Sequence, residues 1–125
     1  MQKQLGKSVA LYYRVATRVS SGQHLDNQMQ RLLCYTRENS LDNFILYTDC
    51  GASGLTLDRP ALNVLKTDIK VGRVDRVIVF DLMRISRNYV STCDFIRWAH
   101  TYGVSIISIT DGYRSFPFEE GSEVA

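Results

Sequence analysis

At 125 residues, 45% hydrophobic and 22% charged, the chain has the size and composition of one soluble domain with a single layered core. No apolar run approaches the ~20 residues that span a bilayer. The polar start Met1–Ser8 lacks a cleavage-like site, so the expectation is a cytoplasmic protein with no membrane partner. A formal net charge of +2 does not announce a nucleic-acid binder, but the charge is uneven: Met1–Asp111 holds 14 Lys/Arg against 10 Asp/Glu, and Gly112–Ala125 one Arg against three Glu. Cys34, Cys50 and Cys93 show no C-x-x-C spacing and read as reduced thiols. His24 and His100 are too isolated for a metal cluster and read as surface or helix-end residues.

Taken in chain order, Ser8–Val15 is β-branched and aromatic and predicts a buried first strand. A polar loop with Ser20, Ser21 and Gly22 follows. Leu25, Met29, Leu32, Leu33 and Thr36 then recur at helical spacing, with Asp26 suited to the positive end of the helix dipole. Phe44–Tyr47 reads as a short second strand, and Thr48–Asp58, with Gly51, Ser53 and Gly54, as a loop where backbone can approach a ligand closely. Asp58-Arg59-Pro60 predicts a helix start with Asp58 as N-cap; Leu62, Leu65 and Ile69 form its inner stripe and Gly72 its stop. Arg76–Phe80 is the third strand. A helix from about Asn88 to Tyr102 has Val90, Cys93, Ile96 and Ala99 as its expected inner stripe and stops at Gly103; Val104–Ile109 is the fourth strand. Strands alternating with helices predict an α/β, three-layer single domain with a central, mainly parallel 4–5-stranded sheet.

Four arginines fall where strands run out: Arg14, Arg59, Arg84 and Arg87. Open parallel sheets bind ligands at the carboxyl ends of their strands, and guanidinium groups grip phosphate with paired, charge-assisted hydrogen bonds. Each also has an ordinary explanation. Arg84 and Arg87 suit exposed solubilising residues, and Arg59 could pair with Asp58. Arg14 interrupts a strand that should be buried, and so needs an anionic partner or a bound anion; Asp49 is one candidate.

The order of these pieces resembles the catalytic domain of serine recombinases, the resolvase/invertase group and its larger integrase and transposase relatives. The segments that carry the likeness are Tyr12-Tyr13-Arg14-Val15-Ala16, Leu25-Asp26-Asn27-Gln28, Asp49 with Ser53-Gly54, Asp58-Arg59-Pro60-Ala61-Leu62, and Arg84-Ile85-Ser86-Arg87. They cover Val9 to about Gly112. The resemblance implies site-specific DNA recombination or transposition. In the family a serine hydroxyl attacks a DNA phosphodiester, forming a 5′-phosphoserine and freeing a 3′-hydroxyl, without metal or cofactor. It further implies a phosphate clamp of Arg14, Arg84 and Arg87 with Arg59 alongside, support from Tyr12, Gln28, Asp49 and Ser53, and DNA and a homodimer or tetramer as partners of the full-length protein. On this reading residues 1–112 are the resolvase-like catalytic domain. Residues 113–125 are an acidic tail preceding the dimerisation helix and DNA-binding domain that family members carry.

The sequence departs from the family pattern at its nucleophile position, where Ala16 has no hydroxyl to form the ester. Three readings stand: an engineered Ser-to-Ala change, a natural copy that has lost cleavage, or attack by Ser20 or Ser21 in the echoing Arg18-Val19-Ser20-Ser21. Met83 stands where resolvases often carry an aspartate. The rival from another class is a non-catalytic DNA-binding or regulatory remnant of a mobile-element recombinase. A nucleotide-binding domain is disfavoured by the absence of G-x-G-x-x-G and G-x-x-x-x-G-K-[ST].

Overall fold

The structure, a computed structural model, describes residues 8–15, 27–50 and 59–115. The elements are β1 (Ser8–Val15), α1 (Asn27–Glu38), β2 (Phe44–Cys50), α2 (Pro60–Lys70), β3 (Val74–Val79), a 3₁₀ turn (Leu82–Arg84), α3 (Tyr89–Thr101), β4 (Ser105–Ser108) and β5 (Tyr113–Arg114). They build one sheet in the order β2-β1-β3-β4-β5; the first four strands are parallel and β5 runs antiparallel to β4. Tyr113 and Arg114, read from the sequence as the start of the tail, thus pair with Ser108 and Ile107.

Right-handed crossovers decide which helix covers which face. The chain steps one way from β1 to β2 and the opposite way from β2 to β3 and from β3 to β4. Consequently α1 lies on one face, and α2 and α3 lie on the other. The period-2 alternation of β1 serves both layers. Val9, Leu11 and Tyr13 pack toward Met29 and Leu32 of α1. Ala10 and Tyr12 join Leu62, Leu65 and Ile69 of α2 and Phe95 and Ala99 of α3.

Several local readings need correction. β2 continues to Cys50, three residues past Tyr47, because its pairing with β1 runs on through Arg14↔Asp49 and Val15↔Cys50. β3 begins at Val74, two residues earlier than Arg76, and ends at Val79. The inner face of α3 carries Thr92, Phe95 and Ala99, whereas Val90 is exposed. A strict three-residue spacing drifts around a helix of 3.6 residues per turn, so Val90 ends about 180° from Ala99. The N-cap position of α2 is Arg59, which makes no side-chain cap bond; Asp58 lies outside the described residues, as does Asp26. Gly72 and Gly103 do end their helices, at φ 79° and 78°. Among the described residues no helix is long and apolar enough to cross a membrane.

Candidate phosphate-binding site at the strand ends

The site forms beside the switch point of the sheet, where β1 and β3 are adjacent and the chain leaves them in opposite directions. Arg14 stands on the last turn of the β1 pleat and is only 5% exposed. Its Nε donates to the Arg84 carbonyl at 3.1 Å and its Nη2 to the Met83 carbonyl at 2.9 Å. Arg59 is completely buried. Its Nη1 donates to the Arg84 carbonyl at 2.8 Å and to the Tyr12 hydroxyl at 3.3 Å, and its Nη2 donates to the Ile85 carbonyl. Two arginines remote in sequence therefore hold three successive carbonyls of the segment that carries Arg84 and Arg87. That segment is also held from β4 and the turn after it. Asp111 Oδ2 accepts from the Leu82 amide at 3.0 Å and from the Ser108 hydroxyl at 2.7 Å.

A buried network sits beneath. Asp49 continues the pleat that puts Ile45 and Tyr47 toward α2, so its carboxylate meets the first turn of that helix. Oδ1 accepts from the Ala61 amide at 2.8 Å and Oδ2 from the Leu62 amide at 3.1 Å. An N-terminal helix end thus gets its cap from 12 residues away, where dipole and free amides favour a negative charge. Asp49 Oδ2 also accepts from the Tyr12 hydroxyl at 2.6 Å. Tyr12 therefore stands between carboxylate and guanidinium, donating to one and accepting from the other. Arg59 also lies over the Tyr12 ring, 5.8 Å from its centroid. The Arg59 Nε is buried with no hydrogen-bond partner among the described residues. Gln28, buried at the start of α1, brackets the main chain of Arg14: its Oε1 accepts from the Arg14 amide and its Nε2 donates to the Arg14 carbonyl, both at 3.4 Å.

Arg84 and Arg87 are the more accessible pair. Arg84 is partly buried; its Nη1 donates to the Arg14 carbonyl at 3.1 Å, and its Nε lies 3.4 Å from Asp81 Oδ1, an ion pair without hydrogen-bond alignment. Arg87 is exposed just before α3, whose N-cap Asn88 accepts from the Ser91 amide at 3.1 Å. Burial lowers the affinity of Arg14 for its proton, and Arg59, Arg84 and Arg87 each lower it further by charge repulsion. Three further guanidinium groups bearing on Arg14 make a local field suited to an anion. Arg14 stays charged nonetheless, since an arginine does not deprotonate in proteins.

The described part of the predicted site therefore gathers in one place: Tyr12, Arg14, Gln28, Asp49, Arg59, Arg84 and Arg87. Ala16, Ser20, Ser21 and Ser53 lie outside the described residues. The anionic partner suggested for Arg14 was Asp49, but that carboxylate receives Tyr12 and α2, and the Arg14 bonds given above run to carbonyls. Two groups escaped sequence reasoning. Asp111 had a usable signal, being an acid just past the fourth strand end. Arg31 had none; it approaches the Phe80 ring to 6.0 Å, while Arg84 approaches it to 5.6 Å.

Burial raises the pKa of Tyr12 well above the usual phenol value, and its hydrogen bond to Asp49 adds to the shift; Tyr47 is raised the same way by burial and by Asp68. A raised folded-state pKa gives stability that is complete below the unfolded value of about 10 and is lost as pH rises through the folded one. Urea stability should therefore hold to about pH 10 and fall beyond it. Tyr12→Phe with Tyr47→Phe should flatten that fall, and an identical alkaline slope in the double variant would refute this assignment.

Comparison with known proteins bears on the same segment of chain. The family model described as "Resolvase, N terminal domain" matches residues 9–122. A Bacillus subtilis (strain 168) protein named "Putative DNA recombinase" is 30% identical over 111 residues, covering 87% of this chain and 22% of its own length. The chain thus spans about a fifth of that curated relative. Among solved structures, the N-terminal catalytic domain of TP901-1 integrase is 32% identical with a TM-score of 0.76, over 86% of this chain and 81% of that one. A resolvase family site-specific recombinase from Streptococcus pneumoniae is 33% identical with a TM-score of 0.72, over 86% and 75%.

Proposed function

The chain belongs to the resolvase N-terminal domain family, and from that membership we propose that it is the phosphodiester-holding domain of a serine recombinase acting in site-specific DNA recombination or transposition. The observation that carries this reading is the meeting of Arg14, Arg59 and Arg84 at the strand ends, where the first two donate to the Arg84 carbonyl and Arg84 donates to that of Arg14, with Arg87 three residues further along the same turn. Phosphoryl transfer spreads negative charge over the non-bridging oxygens, and fixed guanidinium groups stabilise it without moving at the moment of reaction.

The roles divide by exposure. Arg84 and Arg87 contact the phosphate, with Arg14 closing the clamp from β1. Arg59 is a positioning residue, because it is fully buried and its Nη1 and Nη2 donate to the Tyr12 hydroxyl and the carbonyls of Arg84 and Ile85. Tyr12, Asp49 and Gln28 fix the strand end and the first turn of α2, and Ser53 orients a neighbouring group. Position 16 is that of the nucleophile. The partners are DNA and further copies of the longer protein, in the cytoplasm. The catalytic unit is 1–112 together with the strand Tyr113–Arg114 that closes its sheet, with an acidic segment after it.

Ala16 itself favours a second reading, a domain that holds DNA and does not cut it. The clamp is common to both and can be tested directly by titrating a short labelled duplex at several low salt concentrations. Arg84→Ala and Arg87→Ala should each weaken binding and reduce the slope of log K against log salt by roughly 0.9 per lost phosphate contact. Unchanged affinity and slope in both variants would exclude the clamp. Displacement of the duplex by free nucleotide at equal phosphate concentration would favour a small-molecule site.

A further inference from the structure

Beside the clamp lies a groove of about 270 Å³ that the proposed chemistry does not use. Arg87 stands on its rim, and Leu82, Met83, Tyr89, Ile96 and Tyr113 supply its walls. Tyr89 is 81% exposed, Met83 56% and Tyr113 36%, an unusual concentration of large apolar side chains open to water. Tyr89, Cys93 and Ile96 occupy one side of α3, about one helical turn apart, the side next to the buried stripe of Thr92, Phe95 and Ala99. Cys93, expected from the sequence to point into the core, lines this groove, and Ile96, which packs against the core as expected, borders it as well.

We propose that the groove seats the base of the nucleotide next to the phosphate held by Arg84 and Arg87, with Tyr89 and Tyr113 as stacking surfaces. This rests on the phosphate-clamp reading and deepens it. Met83, whose carbonyl Arg14 holds, lines the groove together with Leu82 and Arg87, so an anion at the clamp puts the adjoining nucleoside at the mouth of the groove. Among the described residues no carboxylate lines it, and none of those walls calls for a cationic partner. Its volume falls below the ~300 Å³ at which sites for drug-sized ligands begin, which suits a single ring system. Aromatic faces accept any base, because every base presents a π-face, and a nearby arginine adds a cation–π contribution. An unstacked or single-stranded base is the form that can enter.

The test compares two probes of equal phosphate count: a labelled single-stranded oligodeoxynucleotide and the same strand with every base removed. The intact chain is used at low salt. It should bind the base-bearing strand at least about fivefold tighter than the abasic one. Tyr89→Ala with Tyr113→Ala should abolish that preference while abasic binding is retained; Tyr89→Phe with Tyr113→Phe should preserve it. Arg87→Ala should weaken binding of both strands. Both tyrosines are at the surface, so the variants keep the fold, and circular dichroism checks this. A preference that survives loss of both tyrosines, with Arg87→Ala still weakening both strands, overturns the base site and leaves the clamp standing. Binding of neither strand, or indifference to Arg87→Ala, overturns the clamp and the groove with it. Tight capture of a peptide by the groove, lost in the Ala pair while DNA binding is unchanged, also overturns the base site.

Discussion

Ala16→Ser, placed in a protein that carries its own DNA-binding segment, is expected to produce a covalent protein–DNA adduct where the Ala16 form produces none. The serine oxygen forms a bond to phosphorus as the bond from phosphorus to the 3′-oxygen breaks, and the serine proton goes to the departing 3′-oxygen. Charge builds on the non-bridging oxygens, where Arg14, Arg84 and Arg87 lie by the proposed roles. The change is all-or-none because a methyl group has no lone pair to offer phosphorus. Adduct is read as a gel-shifted band that survives denaturant and disappears with protease. No adduct from the serine form, on DNA it demonstrably occupies, would show that position 16 is not the nucleophile position. Adduct from the Ala16 form, removed by Ser20→Ala or Ser21→Ala, would assign the attack to the neighbouring loop.

Arg59→Ala is expected to be the most destabilising single change at the site, by about 3–5 kcal/mol, read as a lower urea midpoint at unchanged slope. The side chain is fully buried, and its removal would strip a donor from the carbonyls of Arg84 and Ile85 and from the Tyr12 hydroxyl while leaving a cavity. Arg59→Lys should recover little, since one ammonium cannot reproduce a planar fork that spans two carbonyls and a phenol. The same change should weaken DNA binding in the folded fraction, because the turn bearing Arg84 loses one of its two guanidinium anchors. A midpoint within the ±0.5 kcal/mol typical of surface substitutions would show that the network is not structural.

The contrast between these two changes follows from how differently the arginines are used. All four are alike in sequence, each following an apolar strand or a helix-start signal. Two of them, Arg14 and Arg59, donate to the carbonyls of Met83, Arg84 and Ile85 and so build the turn, Arg14 in addition to its proposed place in the clamp. The other two, Arg84 and Arg87, are carried on or just beyond it, nearer to solvent. A buried guanidinium bonded to carbonyls is a costly way to hold a turn unless the turn's position matters, which accords with a site that must present charge to within hydrogen-bond reach of a phosphate.

What the amino-acid order determined unaided is whatever depends on neighbours a few residues apart. A β-branched and aromatic run placed β1 at Ser8–Val15, helical spacing placed α1 and α2, and Pro60, Gly72 and Gly103 marked starts and stops through their own backbone preferences. The five short segments that carry the family likeness sit within the matched residues 9–122 for the same reason: each is a local pattern. Tertiary structure decided what depends on strand register and crossover handedness. Only the pairing of Arg14 with Asp49 across β1 and β2 reveals that this carboxylate caps α2 and anchors Tyr12. Only the packing of α3 on the sheet selects Thr92 and Phe95 for burial and leaves Tyr89 and Cys93 to line a groove. Likewise only the return of β5 beside β4 brings Tyr113 to that groove, and only the turn between them brings Asp111 under the Leu82 amide. The hydrogen bonds among these contacts join residues 12 to 37 positions apart, whose meeting is set by the geometry of the whole sheet and leaves no trace in any short window of sequence.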